Sequence, residues 1–126
     1  MPKLTRPELQ IMEALWTHGP LSIREIQQLH PSRGRPAYTT VQTVVYRLET
    51  KKALRRSKKI SNAHIFEATL SRSAAHRGLI EDFLGLFGGR TEPLIASLID
   101  TGRLTLEEIQ ETERTLRGRT RRESST

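Results

Sequence analysis

Residues 38–48 read Tyr38-Thr39-Thr40-Val41-Gln42-Thr43-Val44-Val45-Tyr46-Arg47-Leu48, and residues 51–59 read Lys51-Lys52-Ala53-Leu54-Arg55-Arg56-Ser57-Lys58-Lys59. The spacing predicts a helix over roughly 39–52, with Val41, Val44, Val45 and Leu48 on one side. Thr39, Thr43, Tyr46 and Thr50 lie opposite, flanked by Thr40, Gln42 and Arg47. An exposed helix side is ordinarily filled with Glu and Lys, which favour the helix; Thr and Val do not, so packing must hold this one in place. The residue types suit contact with base edges: Thr methyls against thymine methyls, Gln against adenine, Arg against guanine or phosphate. The next stretch carries six basic residues in nine. After the weak turn Ile60-Ser61-Asn62-Ala63 comes His64-Ile65-Phe66-Glu67-Ala68, so two short strands are expected here, with Leu54 and Phe66 pointing inward.

Upstream, Thr5 and Glu8 have capping-box spacing, with Pro7 in the first turn. They open a helix carrying Leu9, Met12, Leu15 and Trp16 that ends at Gly19-Pro20. Ser22 and Glu25 repeat the capping pattern for a shorter helix with Ile23, Ile26 and Leu29. Leu21, between the two helices, suits a single short strand, and residues 31–36 form a basic loop. Three helices followed by a basic hairpin is the order of a winged helix, in which the third helix enters the major groove and the hairpin lies along the backbone.

Charge supports that reading. Of 21 Lys and Arg and 14 Asp and Glu, residues 1–70 hold 12 basic and five acidic groups, an excess equal to the net +7 of the whole chain. Residues 71–117 hold six basic against eight acidic groups, and the tail three against one. A polyanion-binding half joined to a half with another task is the natural interpretation. The chain has no cysteine, which removes disulfides, Cys-ligated zinc, iron–sulfur clusters and thiol catalysis. No apolar run approaches the length of a membrane span, and a soluble cytoplasmic protein is expected.

Beyond residue 70 the pattern is helical throughout. One helix opens at Ser71 or Ser73 and carries Leu79, Ile80, Phe83, Leu84, Leu86 and Phe87 before Gly88-Gly89. A short one follows from Thr91-Glu92-Pro93 with Leu94, Ile95, Leu98 and Ile99. A third opens at the Thr105/Glu108 box with Leu106, Ile109 and Leu116. These apolar residues cover more surface than one internal seam needs, in a segment too small to sustain its own core. All of them except Leu86 are therefore the candidate dimerisation residues. Mainly α structure is expected, with a small β-hairpin wing: a winged helix-turn-helix over 1–70, a three-helix dimerisation domain over 71–117, and a disordered tail over 118–126.

Residues 4–117 resemble the penicillinase and methicillin-resistance repressors (the BlaI/MecI-type family). The resemblance rests on Leu4-Thr5 with Glu8, Ile11-Met12-Glu13 and Leu15-Trp16, on residues 38–48 with the Lys-rich turn after them, and on Phe87-Gly88-Gly89, Leu94-Ile95 and residues 104–109. It implies a homodimeric transcriptional repressor with an N-terminal winged helix on operator DNA and a C-terminal helical dimerisation domain. In such relatives a transmembrane sensor protease triggers cleavage between Asn and Phe in the dimerisation domain. Ser97 and Leu98 occupy the matching positions, a departure that leaves both cleavage and the β-lactam signal open. A copper-responsive branch uses a Cys-rich site, which a chain without Cys lacks.

Thr39, Gln42, Thr43 and Tyr46 are thus expected at base edges. Thr40, Arg47, Lys51, Lys52, Arg55, Arg56, Lys58 and Lys59 are expected on phosphates, joined by Ser22 and Arg24 at the start of the second helix. No cofactor or metal is expected: His18, His30, His64 and His76 have no ligand spacing, and no Gly-rich loop follows a strand. Catalysis finds little support. Two readings from other classes remain, an RNA-binding protein and a helical module whose basic half binds an acidic protein; within DNA binding, release by a small ligand or partner protein is a further alternative.

Overall fold

The computed structural model describes residues 3–124. Thr5 and Glu8 form the expected capping box, with the Thr5 amide donating to Glu8 Oε1 at 2.7 Å and the Glu8 amide to Thr5 Oγ1 at 3.4 Å. They open α1 (Arg6–His18), which ends where Gly19 turns to φ 83°, a left-handed conformation that favours glycine. The strand β1 (Leu21–Ser22) leads into α2 (Ile23–Leu29), opened by the Ser22/Glu25 box. After the basic loop, α3 spans Tyr38–Thr50.

Two strands follow, β2 (Leu54–Ile60) and β3 (Ala63–Ala68). Ser61 and Asn62 join them with φ values of 47° and 68°, the paired positive angles of a two-residue hairpin turn. The sheet has the order β1-β3-β2, all antiparallel, with Leu21 opposite Phe66 and Arg56 also opposite Phe66 from the other side. The register shifts between Arg56 and Lys58, leaving Ser57 as a bulge.

The core lies between this sheet and the three helices. Ile11, Met12 and Leu15 of α1, Ile23 and Ile26 of α2, and Val41, Val44, Val45 and Leu48 of α3 are all buried. Leu54 and Phe66, the expected inward anchors, are each 1 % exposed. The valine face of α3 is thus held against the core, and its Thr-rich face is turned outward.

The chain divides into two compact units, one running to Ile80 and the other starting at Glu81. The first includes the opening turns of α4 (Arg72–Gly85), past the boundary at residue 70 that composition suggested. Side chains explain the difference. Ala75 is buried, Trp16 Nε1 donates to the Leu70 carbonyl at 2.8 Å, and Arg72 reaches Glu13 and Thr17 on α1.

The second unit holds the end of α4, then α5 (Thr91–Asp100) and α6 (Leu106–Ser124). The Thr105/Glu108 box forms as expected. α6 corrects the expectation of a disordered tail from residue 118, since it continues to Ser124; Ser125 and Thr126 lie outside the described residues. Polar composition suggested disorder, but Arg117–Glu113 at 2.7 Å and Arg119–Glu123 at 3.3 Å are spaced to support a helix. Glu107 and Glu108 in the first turn and Arg121 and Arg122 in the last also complement its dipole.

Candidate nucleic-acid interface

The outward face of α3 presents Thr39, Thr43, Tyr46 and Thr50, all exposed. The Thr43 hydroxyl donates to the Thr39 carbonyl at 2.9 Å, and Thr50 does the same to Tyr46. With these two hydroxyls turned back onto the helix, Thr43 and Thr50 offer outward chiefly their methyl groups. Gln42 Nε2 donates to Tyr46 Oη at 3.1 Å. At the start of the helix Ala37 supplies no side-chain cap and the first turn has no acidic residue. Those amides are open to an anion.

A cleft of about 240 Å³ runs between this face, the start of α2 and the wing, lined among others by Arg24, Tyr38, Gln42, Tyr46, Asn62 and His64. Tyr38, Asn62 and His64 were not among the residues expected there. Tyr38 has a legible signal, because it precedes Gln42 and Tyr46 at successive steps of four on one helix face. Asn62 and His64 have none: their placement depends on how the hairpin folds back beside α3.

The basic residues separate into two groups. Arg24, Arg47, Lys52, Lys58 and Lys59 are exposed and form no ion pair among the described residues. Thr40 is exposed beside them on α3. The remaining cations expected on phosphates, Lys51, Arg55 and Arg56, are engaged within the fold. Lys51, expected on a phosphate, is the most firmly engaged: its ammonium lies 2.7 Å from Glu8 Oε1 and 2.8 Å from the Lys3 carbonyl, tying the end of α3 to the start of α1. Arg55 pairs with Glu67 at 2.6 Å, but both lie on the surface, where such a pair is weak and easily exchanged. Arg56 is held by Glu49 through Nε at 2.8 Å and Nη2 at 3.3 Å, and its guanidinium lies over the rings of Tyr46 and Phe66. The Glu49 carboxylate hydrogen bond raises the Arg56 pKa further and keeps it charged. Ser22 is likewise spent: its hydroxyl caps α2, and the Glu25 carboxylate occupies the same helix start, which disfavours a phosphate there.

Lys52 stands in the left-handed region at φ 63°, just past the end of α3, with the Ala53 amide closing onto the Leu48 carbonyl. Glycine is the usual residue at this point because a side chain costs roughly 1 kcal/mol there. Lys52→Gly is therefore expected to raise stability by up to about 1 kcal/mol while flattening the salt dependence of DNA binding by about one unit of slope. Urea unfolding and a salt titration read the two effects separately. A stabilised variant with an unchanged slope would show that Lys52 does not meet phosphate.

In the second unit, no described residue from Glu81 onward is fully buried. Ile80, at the end of the first unit, is 56 % exposed, and Phe83, Ile95, Ile99, Leu106 and Leu116 are each at least 45 % exposed. Leu98 and Ile109 are also exposed, while Leu79, Leu84, Phe87 and Leu94 are half-buried. Phe83 and Phe87 meet edge to face, with centroids 5.3 Å apart. Leu86, 79 % exposed, belongs with this apolar set. Ser97 and Leu98 lie within α5, their carbonyls accepting from the amides of Thr101 and Arg103.

Residues 4–118 match the sequence model of the penicillinase repressor family. The chain belongs to that family. Its members are DNA-binding transcriptional repressors built on a winged helix. No curated protein matches the chain. Among solved structures it is similar to transcriptional regulator Tm0710 from Thermotoga maritima, at 24 % identity and a TM-score of 0.50, over 97 % of this chain and 80 % of that one. It is also similar to MepR, a transcription regulator of the Staphylococcus aureus multidrug efflux pump MepA, at 20 % identity and a TM-score of 0.48, over 98 % and 80 % of the two chains. The likeness to Tm0710 is one of fold, which in this chain is mainly helical with a small antiparallel sheet. Among the described residues, no helix is long and apolar enough to cross a membrane, and no group of three or more His, Asp or Glu could hold a metal ion.

Proposed function

We propose that the chain is a homodimeric repressor that occludes a promoter by reading a palindromic operator, in the cytoplasm where the DNA lies. The observation that carries this reading is the outward face of α3. It is poor in Glu and Lys, rich in Thr methyls and amide, anchored from behind by four buried residues, and bordered by a wing that carries unpaired cations. Such a face fits the major groove, with Thr39, Gln42, Thr43 and Tyr46 at base edges. Arg24, Thr40, Arg47, Lys52, Lys58 and Lys59 would meet phosphates, which fix register without reading sequence.

Residues 1–70 would thus read DNA and residues 71–117 join two copies. Apolar side chains of α4, α5 and α6 that are not buried within their own unit support the second role. A two-fold dimer sets its recognition helices a whole number of DNA turns apart, ~34 Å each. Release by a membrane sensor protease, which the family resemblance implies, would require α5 to unwind around Ser97 and Leu98 before cleavage. Release by a small ligand or a partner protein would not.

Selection of binding sites from a random duplex pool, followed by footprinting and sedimentation, tests the proposal. The expected result is a dimer protecting two symmetric half-sites separated by whole helical turns. Protection of one isolated half-site by a monomer would contradict it.

A further inference from the structure

Four side chains from two elements form a continuous chain of contacts, and two of the four, Gln42 and Tyr46, line the cleft. Glu49, on α3, holds Arg56, on β2, through two hydrogen bonds of 2.8 and 3.3 Å. The Arg56 guanidinium sits 5.3 Å from the Tyr46 ring centroid and 5.5 Å from that of Phe66, so it packs between a surface ring and a core ring. Tyr46 in turn accepts the hydrogen bond from Gln42 Nε2 at 3.1 Å.

We propose that the Glu49–Arg56 pair is a positioning device that fixes Tyr46 and, through it, the orientation of the Gln42 amide for reading adenine. The chemistry follows from the amide's inventory. A free Gln rotates about its last torsion and can exchange its oxygen and nitrogen positions. Once one N–H is committed to Tyr46 Oη, Oε1 and the second N–H remain. These are the acceptor and donor that a bidentate contact with adenine N6 and N7 requires. Fixing the amide before DNA arrives removes an ordering cost from the specific complex only, because a scrambled duplex gains nothing from the preset orientation. The arrangement also explains why an acidic residue lies beside a surface meant for a polyanion. Glu49 weakens attraction to any phosphate, and its return is selectivity.

The inference rests on the reading that α3 recognises duplex DNA. Its test uses the whole 126-residue chain, the duplex obtained by site selection, and a scrambled duplex of the same length and composition. Glu49→Gln gives opposite expectations in the two accounts. If Glu49 only repels phosphate, its loss tightens binding to both duplexes alike. If it positions the reader, the ratio of selected to scrambled affinity falls roughly 3- to 10-fold, with the loss concentrated at the one base pair that Gln42→Ala also relaxes.

Tyr46→Phe keeps the stack under Arg56 but removes the acceptor for Gln42, and is expected to lose selectivity at that same base pair. In a Gln42→Ala background, Glu49→Gln should cost no further selectivity, because the group it positions is gone. Equal tightening on both duplexes, or a selectivity loss that persists undiminished in the Gln42→Ala background, would overturn the proposal. Wild-type protein that binds the two duplexes equally would instead contradict DNA reading itself. Thermal melting of each variant separates these outcomes from unfolding, and Tyr46→Phe, which leaves the Glu49–Arg56 pair in place, gives an independent reading if Glu49→Gln melts early.

Discussion

Phe66→Ala is expected to remove about 3–5 kcal/mol of stability from the first unit. Phe66 is 1 % exposed, pairs with Leu21 on one side and Arg56 on the other, and closes the core against the three helices. Truncation would leave a cavity in a strand packed against α1 and α2 and flanked by β1 and β2, which cannot all move inward together. Arg56 would also lose one of the two rings it lies between. Since single domains retain only about 5–15 kcal/mol, this change alone brings the unit close to unfolding. Trp16 is the single tryptophan of the chain and is tied to the Leu70 carbonyl, so its fluorescence follows this unit in urea. A loss below about 1 kcal/mol would show that β3 is not anchored through this ring.

The second large effect concerns Glu8. Its side chain is fully buried, and Oε1 accepts from the Thr5 amide and from Lys51. Glu8→Ala removes the capping box and strips Lys51 of its carboxylate. The expected cost is about 2–4 kcal/mol, below the full value for a buried pair because Lys51 is 28 % exposed. Glu8→Gln keeps capping-box chemistry and loses only the charge, so it should cost less than alanine. Equal losses for the two variants would show that charge, and not the cap, holds this joint.

Acid should reproduce part of the same loss. Burial acts to raise the Glu8 pKa from its ordinary 4.5, but hydrogen bonds from Lys51 and Thr5 outweigh it and the net shift is downward. A carboxylate with a lowered folded pKa stabilises fully above its unfolded value. That contribution fades as pH falls below 4.5 toward the lower folded value. Stability attributable to Glu8 should therefore be flat from neutral pH to about 5.5 and decline below about 4.5. In Glu8→Gln that component should vanish.

Periodicity and capping made much of the fold legible. The valine stripe of α3, the three capping boxes, and Leu54 and Phe66 as inward anchors all follow from local spacing, and each lies where that spacing put it. What sequence could not supply was the pairing of charges. Lys51 and Arg56 sit in a run of six basic residues and look identical to Lys58 and Lys59. Only the return of α1 beside the end of α3 gives Lys51 a partner 43 positions away, and only the folding of β2 along α3 gives Arg56 to Glu49. The helical continuation past residue 118 was hidden for a related reason. Polar composition suggests disorder, whereas Glu and Arg at steps of four can sustain a helix with no apolar seam. Asn62 and His64 owe their place at the cleft to the geometry of the hairpin.

Duplex-sequence reading by the α3 face underlies every other proposed role. Its most direct test is competition binding of the full chain at about 150–200 mM salt, where non-specific electrostatic attraction is weakened. The competitors are the selected duplex, a scrambled duplex, and an RNA of matching length. A preference of about a thousandfold or more for the selected duplex over both is expected. Equal affinity for the scrambled duplex, or tighter binding to the RNA, would contradict it.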